Sequence, residues 1–398
     1  MTIQELIDIV KLGEDSQTKF KEKFTSPDAL AAEIVAFANT QGGKILVGVT
    51  DRGELKGLSG EEVSNLNQMI SNVCFQKIDP NIAVTTENIA YENNVVVLIY
   101  VPMGPNKFYM ANGSDVWVKV GADKRKAKRE EMLRLLQESA RLYADEQAME
   151  NTGIKDLDLL MVNEFIEKRL EAKVEDGHLP LERILNSMKI LTGKKCTLAG
   201  MLLFTKKKHL ALSHYGIGAV SWYGNDLSGT QYRDSEDIEG NVAKLFADGM
   251  GFLKRQLHKL QNGQSFNTFG ILEIPEIALE EALVNAIVHR NYFIYSNIRL
   301  LVFDERVEII SPGLLPNTLS VESIKTGVHV VRNPILLSHI KDIPGIPYRG
   351  MGTGVSRIVK SCKEAGIKTE FINDVGAEQF KVIFWRKADR KALINFVD

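Results

Sequence analysis

Glu281, Asn285 and His289 stand four residues apart in IALEEALVNAIVHR (residues 277–290), a stretch without proline or glycine. Leu279, Ala282, Leu283, Ala286 and Ile287 recur there at steps of one, three and four, which predicts an amphipathic helix. Each polar residue then lies about one turn above the last, on a stripe of its own. A carboxylate in that position can orient or deprotonate a water, and a carboxamide oxygen is a hard ligand suited to Mg²⁺. The plainer use of the stripe is structural, with Asn and His capping backbone beside a half-buried helix. The helix by itself does not separate the two.

A distant segment bears on the choice. IRLLVF (298–303) and VEII (307–310) read as strands running into Ser311-Pro312-Gly313. A long connection leads to Arg349-Gly350-Met351-Gly352-Thr353-Gly354, after which a helical pattern runs from Val355 to Ala365. Glycines ahead of a helix N-terminus let backbone N–H groups close on an anion, and the helix dipole favours negative charge there. Folded against the Glu/Asn helix, this turn would complete a phosphate cleft with a cation ligand on its wall.

The ordered set resembles the GHKL ATPase superfamily of gyrase, Hsp90, histidine kinases and MutL. More closely it resembles the divergent ATPase domain of bacterial transcriptional regulators described as RecG-like or divergent AAA. The residues that carry this are Glu281/Asn285/Ala286, His289-Arg290-Asn291-Tyr292, Pro312-Gly313, Arg332-Asn333-Pro334 and Gly350/Gly352/Gly354, within roughly residues 196–385. The resemblance implies ATP and Mg²⁺ as cofactors, with Asn285 holding the metal and Glu281, as the catalytic residue, positioning the hydrolytic water. It places His289, Gly313, Arg332, Asn333, Gly350, Gly352, Thr353 and Gly354 around the nucleotide and residues 314–349 over it as a lid. One departure stands out. The adenine-binding turn of characterised GHKL enzymes carries Asp-x-Gly, whereas Ser311-Pro312-Gly313 has no acid in that register. A phosphate-bearing ligand is therefore better specified than adenine, and turnover is left open.

In the first third, DALAAEIVAFANTQGGKILVGVTDRGELKGL (28–58) reads as a helix, a glycine-punctuated strand from Ile45 to Val49 and a tight turn. Residues 61–76 read as a helix, and VVVLIYV (95–101) and VWVKVG (116–121) as strands. These residues resemble the Schlafen-type AlbA-like DNA-binding domain over roughly 10–135. Gly13-Glu14-Asp15 with Phe20-Lys21 matches its opening motif, and Val118-Lys119-Val120-Gly121 its closing one. Relatives that cleave RNA gather a metal on two glutamates of the opening motif and a later acid. This chain keeps Glu14 and Asp51 but has Lys19 in place of the second glutamate, and an ammonium repels a metal. Asp51 also suits the turn it begins. Lys119, Lys124, Arg125, Lys126, Lys128 and Arg129 form the densest basic cluster, at a strand-to-helix junction suited to phosphate contacts. A solvated helix start is the plainer alternative, as it is for Lys206-Lys207-Lys208.

The expected fold is α+β: a mixed α/β AlbA-like domain (1–140), a short helical linker or adaptor (141–195) and a GHKL-like two-layer α/β sandwich (196–398). TLAGMLLF (197–204) and AVSWYG (219–224) read as strands of that sandwich, residues 241–261 as an amphipathic helix and FKVIFWRK (380–387) as a last strand. With a net charge of −2 over 398 residues, any nucleic-acid contact must come from a local patch. No run reaches a membrane span, no signal-peptide pattern opens the chain, and three dispersed cysteines suggest reduced thiols in the cytoplasm. No winged helix is expected after the last strand, so operator reading through a recognition helix is not expected either. The leading expectation is a regulator that contacts DNA or RNA through its first domain and binds nucleotide in its second, working as a homo-oligomer by resemblance. The alternatives are a metal-dependent nuclease of the Schlafen type in phage defence, and a nucleotide-gated scaffold with no nucleic-acid role.

Overall fold

The computed structural model describes the chain apart from residues 105–106, 139–141, 171–179, 207–208, 230, 262–269, 317–318, 349, 351 and 387–398. Lys207 and Lys208 of the second basic run, and Arg349 and Met351 beside the glycine turn, therefore lie outside the described residues. The chain forms two compact units, Met1–Leu142 and Tyr143–Asp398. Both are mixed α/β. No helix among the described residues is long and apolar enough to cross a membrane.

The first unit runs α1 (Ile3–Leu12), β1 (Thr18–Lys21), α2 (Pro27–Ala38), β2 (Gly43–Val47), α3 (Gly60–Asn72), β3 (Ile78–Asp79), β4 (Thr85–Tyr91), β5 (Asn94–Val101), β6 (Met110–Ala111), β7 (Trp117–Val120), β8 (Asp123–Lys126) and α4 (Arg129–Glu138). Its main sheet has the order β1-β2-β5-β4, with β1 and β2 parallel across α2 and the other pairs antiparallel. Ser26 caps α2 and Pro27 occupies its first turn, where a missing N–H costs nothing. That helix is buried nearly all round, which explains its run of alanines. Strand alternation then divides the core. Ile45, Val47, Val97 and Ile99 face α2, while Leu46, Val96 and Leu98 join Leu6 of α1 and Phe20 on the other side.

The second unit contributes α5 (Leu159–Leu170), α6 (Leu181–Ser187), the ribbon β9–β10 (Leu191–Thr192, Lys195–Cys196), α7 (Leu198–Phe204), β11 (Ile217–Trp222), β12 (Tyr232–Ile238), α8 (Val242–Gln256), the ribbon β13–β14 (Lys259–Leu260, Ile271–Leu272), α9 (Glu276–His289), β15 (Ile298–Val302), β16 (Arg306–Pro312), α10 (Val321–Lys325), α11 (Pro334–Ile340), α12 (Gly354–Glu364), β17 (Thr369–Asp374) and β18 (Gln379–Trp385). Six strands form one sheet in the order β12-β11-β15-β16-β18-β17. Helices α8, α9 and α12 pack with it in a second layer, through a core that includes Leu245, Leu279, Leu283, Leu300, Ile309 and Ile358. Each such leucine or isoleucine contributes about 1.5–3 kcal/mol by leaving water.

Two expectations change here. TLAGMLLF is not a strand: Thr197 Oγ1 accepts from Gly200 N at 3.0 Å, and Leu198–Phe204 form a fully buried helix. A short run apolar on every side carries no periodicity to distinguish helix from strand. The described residues of the stretch expected as an adaptor (141–195) belong, from Tyr143 on, to the second unit. Leu157, Val162, Phe165, Ile166 and Leu185 enter the core of the second unit, and the buried Asp145 carboxylate accepts from Ile335 N and Leu336 N, capping α11.

Candidate functional site

Helix α9 packs against both β16 and α12, so its Glu/Asn/His stripe meets the glycine turn that opens α12. Glu281, Asn285, His289, Gly313, Arg332, Gly350, Gly352, Thr353 and Gly354 all line one cavity of about 130 Å³. The approach is close. A Cβ at Gly354 would come within 2.5 Å of Glu281 Oε2 and 3.2 Å of Asn285 Nδ2. Gly350 and Gly352 hold φ of +68° and +69°, and a Cβ on Gly352 would meet Gly327 O at 2.8 Å and His329 Nδ1 at 3.0 Å. Helix α12 begins at Thr353 without a side-chain cap, leaving its first-turn N–H groups no side-chain acceptor.

Arginines supply the positive charge of the cavity. Among the described residues Arg332 and Arg357 line it beside His289 and His329, and Glu281 is the one acid. His289 is half-buried, and desolvation, with Arg332 and His329 beside it, pushes its pKa down to about 4. Arg332 donates to His289 O at 3.2 Å and Leu314 O at 2.7 Å, so it ties the end of α9 to the segment after β16. The remainder of the lining is apolar, with Leu314, Leu315, Ile309, Phe371 and Phe380 among it.

Asn333 does not reach this cavity. It is 1% exposed and donates to Val288 O and Arg290 O at 2.8 and 3.0 Å, closing the C-terminus of α9 as a structural cap. The 314–349 segment, expected as a lid, carries α10 and α11 and packs on the glycine turn, with Ser356 Oγ donating to Lys325 O at 2.7 Å. Ser311, the residue of the acid-free turn, is buried and donates to Ala286 O at 3.1 Å, so it fastens β16 to α9. Arg357 and Tyr348 are among the lining residues that the sequence did not single out. Arg357 binds Glu281 through Nε at 2.7 Å and through a second guanidinium nitrogen, and its Nη1 donates to Thr353 Oγ1 at 2.9 Å. Its position one turn after Thr353 was the available signal. For Tyr348, burial, with Glu281 nearby, pushes the pKa up to about 12.

Among the described residues no three His, Cys, Asp or Glu side chains gather as a metal site. A cation at Asn285 would draw its other ligands from phosphate and water, as Mg²⁺ commonly does. The half-buried carboxamide, set in a cradle that a Cβ at Gly354 would fill, fits that use.

The basic cluster of the first unit is largely engaged internally. Lys124 Nζ pairs with Glu33 at 2.6 Å, Arg125 forks onto Glu131 at 2.7 and 2.8 Å, and Lys126 pairs with Asp115 at 2.8 Å. Lys119 is 8% exposed, donates to Ala122 O and lies over the Phe37 ring; burial, with Lys19 nearby, pulls its pKa down. Lys128 and Arg129 are exposed at the start of α4. At the opening motif, Glu14 accepts from Phe20 N at 2.7 Å and from Lys19 Nζ at 2.8 Å, with Asp123 3.6 Å from the same ammonium. Burial works against that charge, yet Glu14, Glu33 and Asp123 together outweigh it and the Lys19 pKa is raised. Asp51 is exposed in its turn.

Comparison with known families agrees with this division. Residues 14–128 match the family model described as "Schlafen, AlbA_2", and residues 296–384 match "Putative ATP-dependent DNA helicase recG C-terminal". The chain joins a Schlafen/AlbA_2 domain to a RecG-C-terminal-like, ATPase-like domain. Within the RecG-C-terminal-like match lie Gly313, Arg332, the glycine turn and Arg357, whereas Glu281, Asn285 and His289 precede it. No curated protein matches the chain. The DIP2311 protein from Corynebacterium diphtheriae is similar at 19% identity and a TM-score of 0.46 over 94% of this chain, which spans 65% of that structure's length. The N-terminal domain of a "Putative ATP-dependent DNA Helicase RecG-related Protein" from Nitrosomonas europaea is similar over 26% of this chain and 73% of its own, at 18% identity and a TM-score of 0.22.

Proposed function

We propose that the protein is a nucleotide-binding regulator that holds ATP with Mg²⁺ in its second unit and contacts nucleic acid, DNA foremost, through its first. The observation that carries the nucleotide half is the close approach of Gly354, at the end of the glycine turn, to Glu281 and Asn285 in one cavity. In this role the backbone of the glycine turn and the start of α12 cradle phosphates, with Arg332 adding positive charge and His289 and His329 lining the cleft. Asn285 would hold Mg²⁺, which would supply charge neutralisation at the phosphates. Glu281 would orient water for weak hydrolysis, and the apolar residues would enclose the base. Arg332 lines the cavity, while Asn333 serves the fold.

For the first unit, Lys128 and Arg129 are the residues of the basic cluster best presented to phosphates, with Lys119, Lys124, Arg125 and Lys126 supporting the hairpin they spring from. The Lys19–Glu14 pair disfavours a metal-dependent nuclease. A homo-oligomer, at least a dimer, is the expected working form. A structure of the protein soaked with Mg²⁺ and a non-hydrolysable ATP analogue tests the nucleotide half. The phosphates should lie against residues 350–354 with the cation on Asn285; a ligand bound elsewhere, with the cleft unchanged, would contradict it. Gel shifts at low salt, where phosphate contacts are strongest, test the other half.

A further inference from the structure

In the unliganded cleft both guanidinium contacts of Arg357 fall on Glu281 Oε1, so the carboxylate is held as one half of an ion pair. The pair is lopsided. The Glu281 side chain is 8% exposed and the Arg357 side chain 35%, so the arginine is the partner open to the cavity and to solvent. Its guanidinium lies beside Thr353 Oγ1, at the uncapped end of α12, where the phosphate end of a nucleotide would be cradled. A guanidinium fork matches two phosphate oxygens as well as it matches a carboxylate, and a terminal phosphate offers three acceptors and more charge.

We propose that Arg357 is the residue that discriminates a nucleoside triphosphate from a diphosphate in this cleft. Without ligand it is parked on Glu281; with a triphosphate it exchanges the carboxylate for the terminal phosphate. The exchange breaks one ion pair and forms another, with no covalent change, and frees Glu281 Oε1. A diphosphate, lacking the terminal group, leaves Arg357 on Glu281. Binding of the correct ligand and release of the carboxylate are thus one event. The inference rests on the nucleotide reading above.

The test is titration calorimetry on the full chain with Mg²⁺, comparing a non-hydrolysable ATP analogue with ADP. Arg357→Ala should weaken the analogue by about 10- to 100-fold, the loss of charged hydrogen bonds, and ADP by less than about threefold. Arg357→Lys, which keeps the charge without the fork, should fall between and serves if the alanine variant does not fold. Glu281→Gln should tighten the analogue several-fold, because the guanidinium no longer leaves an ion pair, and leave ADP unchanged. Equal losses for analogue and ADP in the Arg357 variants, or unchanged analogue affinity in Glu281→Gln, overturn the proposal while the nucleotide reading stands. If wild-type protein binds neither ligand, both fall.

Discussion

The Cα of Gly354 lies so close to the Glu281 carboxylate that a single added methyl would sit 2.5 Å from Oε2. Real Cβ atoms do not approach an oxygen that closely, and Glu281 is held in place by Arg357. Gly354→Ala should therefore cost about 1–3 kcal/mol of stability by overpacking and displace the carboxylate. A urea melt gives the first effect. An unchanged midpoint would show that the turn and the helix are less tightly joined.

Asn285 and Glu281 separate by chemistry. Asn285→Ala removes an oxygen ligand with little effect on packing, because the side chain is half-buried. It should abolish the Mg²⁺-dependent part of any nucleotide-induced thermal shift, while Asn285→Asp retains it. A shift that is independent of Mg²⁺ in wild-type protein would remove the metal from the account.

The pH dependence of stability should contain two opposing contributions. The His289 pKa is about 4 in the fold, so between the ordinary value of 6.5 and 4 the unfolded chain binds the extra proton and acidification destabilises. Asp145 runs the other way. Burial raises its carboxyl pKa to about 6, so between 6 and 3.8 the folded state keeps a proton that the unfolded state has lost, and acidification stabilises. Each is worth at most about 3 kcal/mol. His289→Gln should make the protein more stable at pH 4.5 relative to pH 7 than wild type is, and Asp145→Asn less stable. Denaturant melts at the two pH values check both signs.

Within the basic cluster, position decides the phenotype. Lys124→Ala leaves Glu33, 2% exposed, as a buried charge without its partner and should cost about 3–5 kcal/mol. Reversing Lys128 and Arg129 to Glu should leave the melting midpoint nearly unchanged but weaken nucleic-acid binding and lower its salt slope by about 1 per lost phosphate contact. Equal nucleic-acid affinity in that variant would move the interface elsewhere.

The parts of this chain that were legible in the sequence are those in which periodicity and spacing act locally. Helix α9 declared itself through its apolar steps, the β15–β16 hairpin through its strand-like runs, and the start of α12 through alternating glycines. What one residue does to another across the fold was not visible. Glu281 and Arg357 are 76 positions apart, and nothing in either segment announces their ion pair. Asn333 sits in a motif beside Arg332, yet one lines the cavity and the other caps α9, a division set by backbone direction. Lys124 looked like surface charge until Glu33, itself inside an alanine-rich helix, proved to be its buried partner. The helix at 198–204 failed for a different reason: full burial erases the very periodicity that distinguishes helix from strand.

Binding of adenine nucleotide by the purified full chain tests the central claim most directly. Calorimetry with Mg²⁺ and a non-hydrolysable ATP analogue should give saturable, single-site binding that Asn285→Ala and Gly352→Val both abolish, the latter because a side chain there would strike Gly327 O. Absence of any heat of binding with wild-type protein, or full binding in both variants, would contradict it.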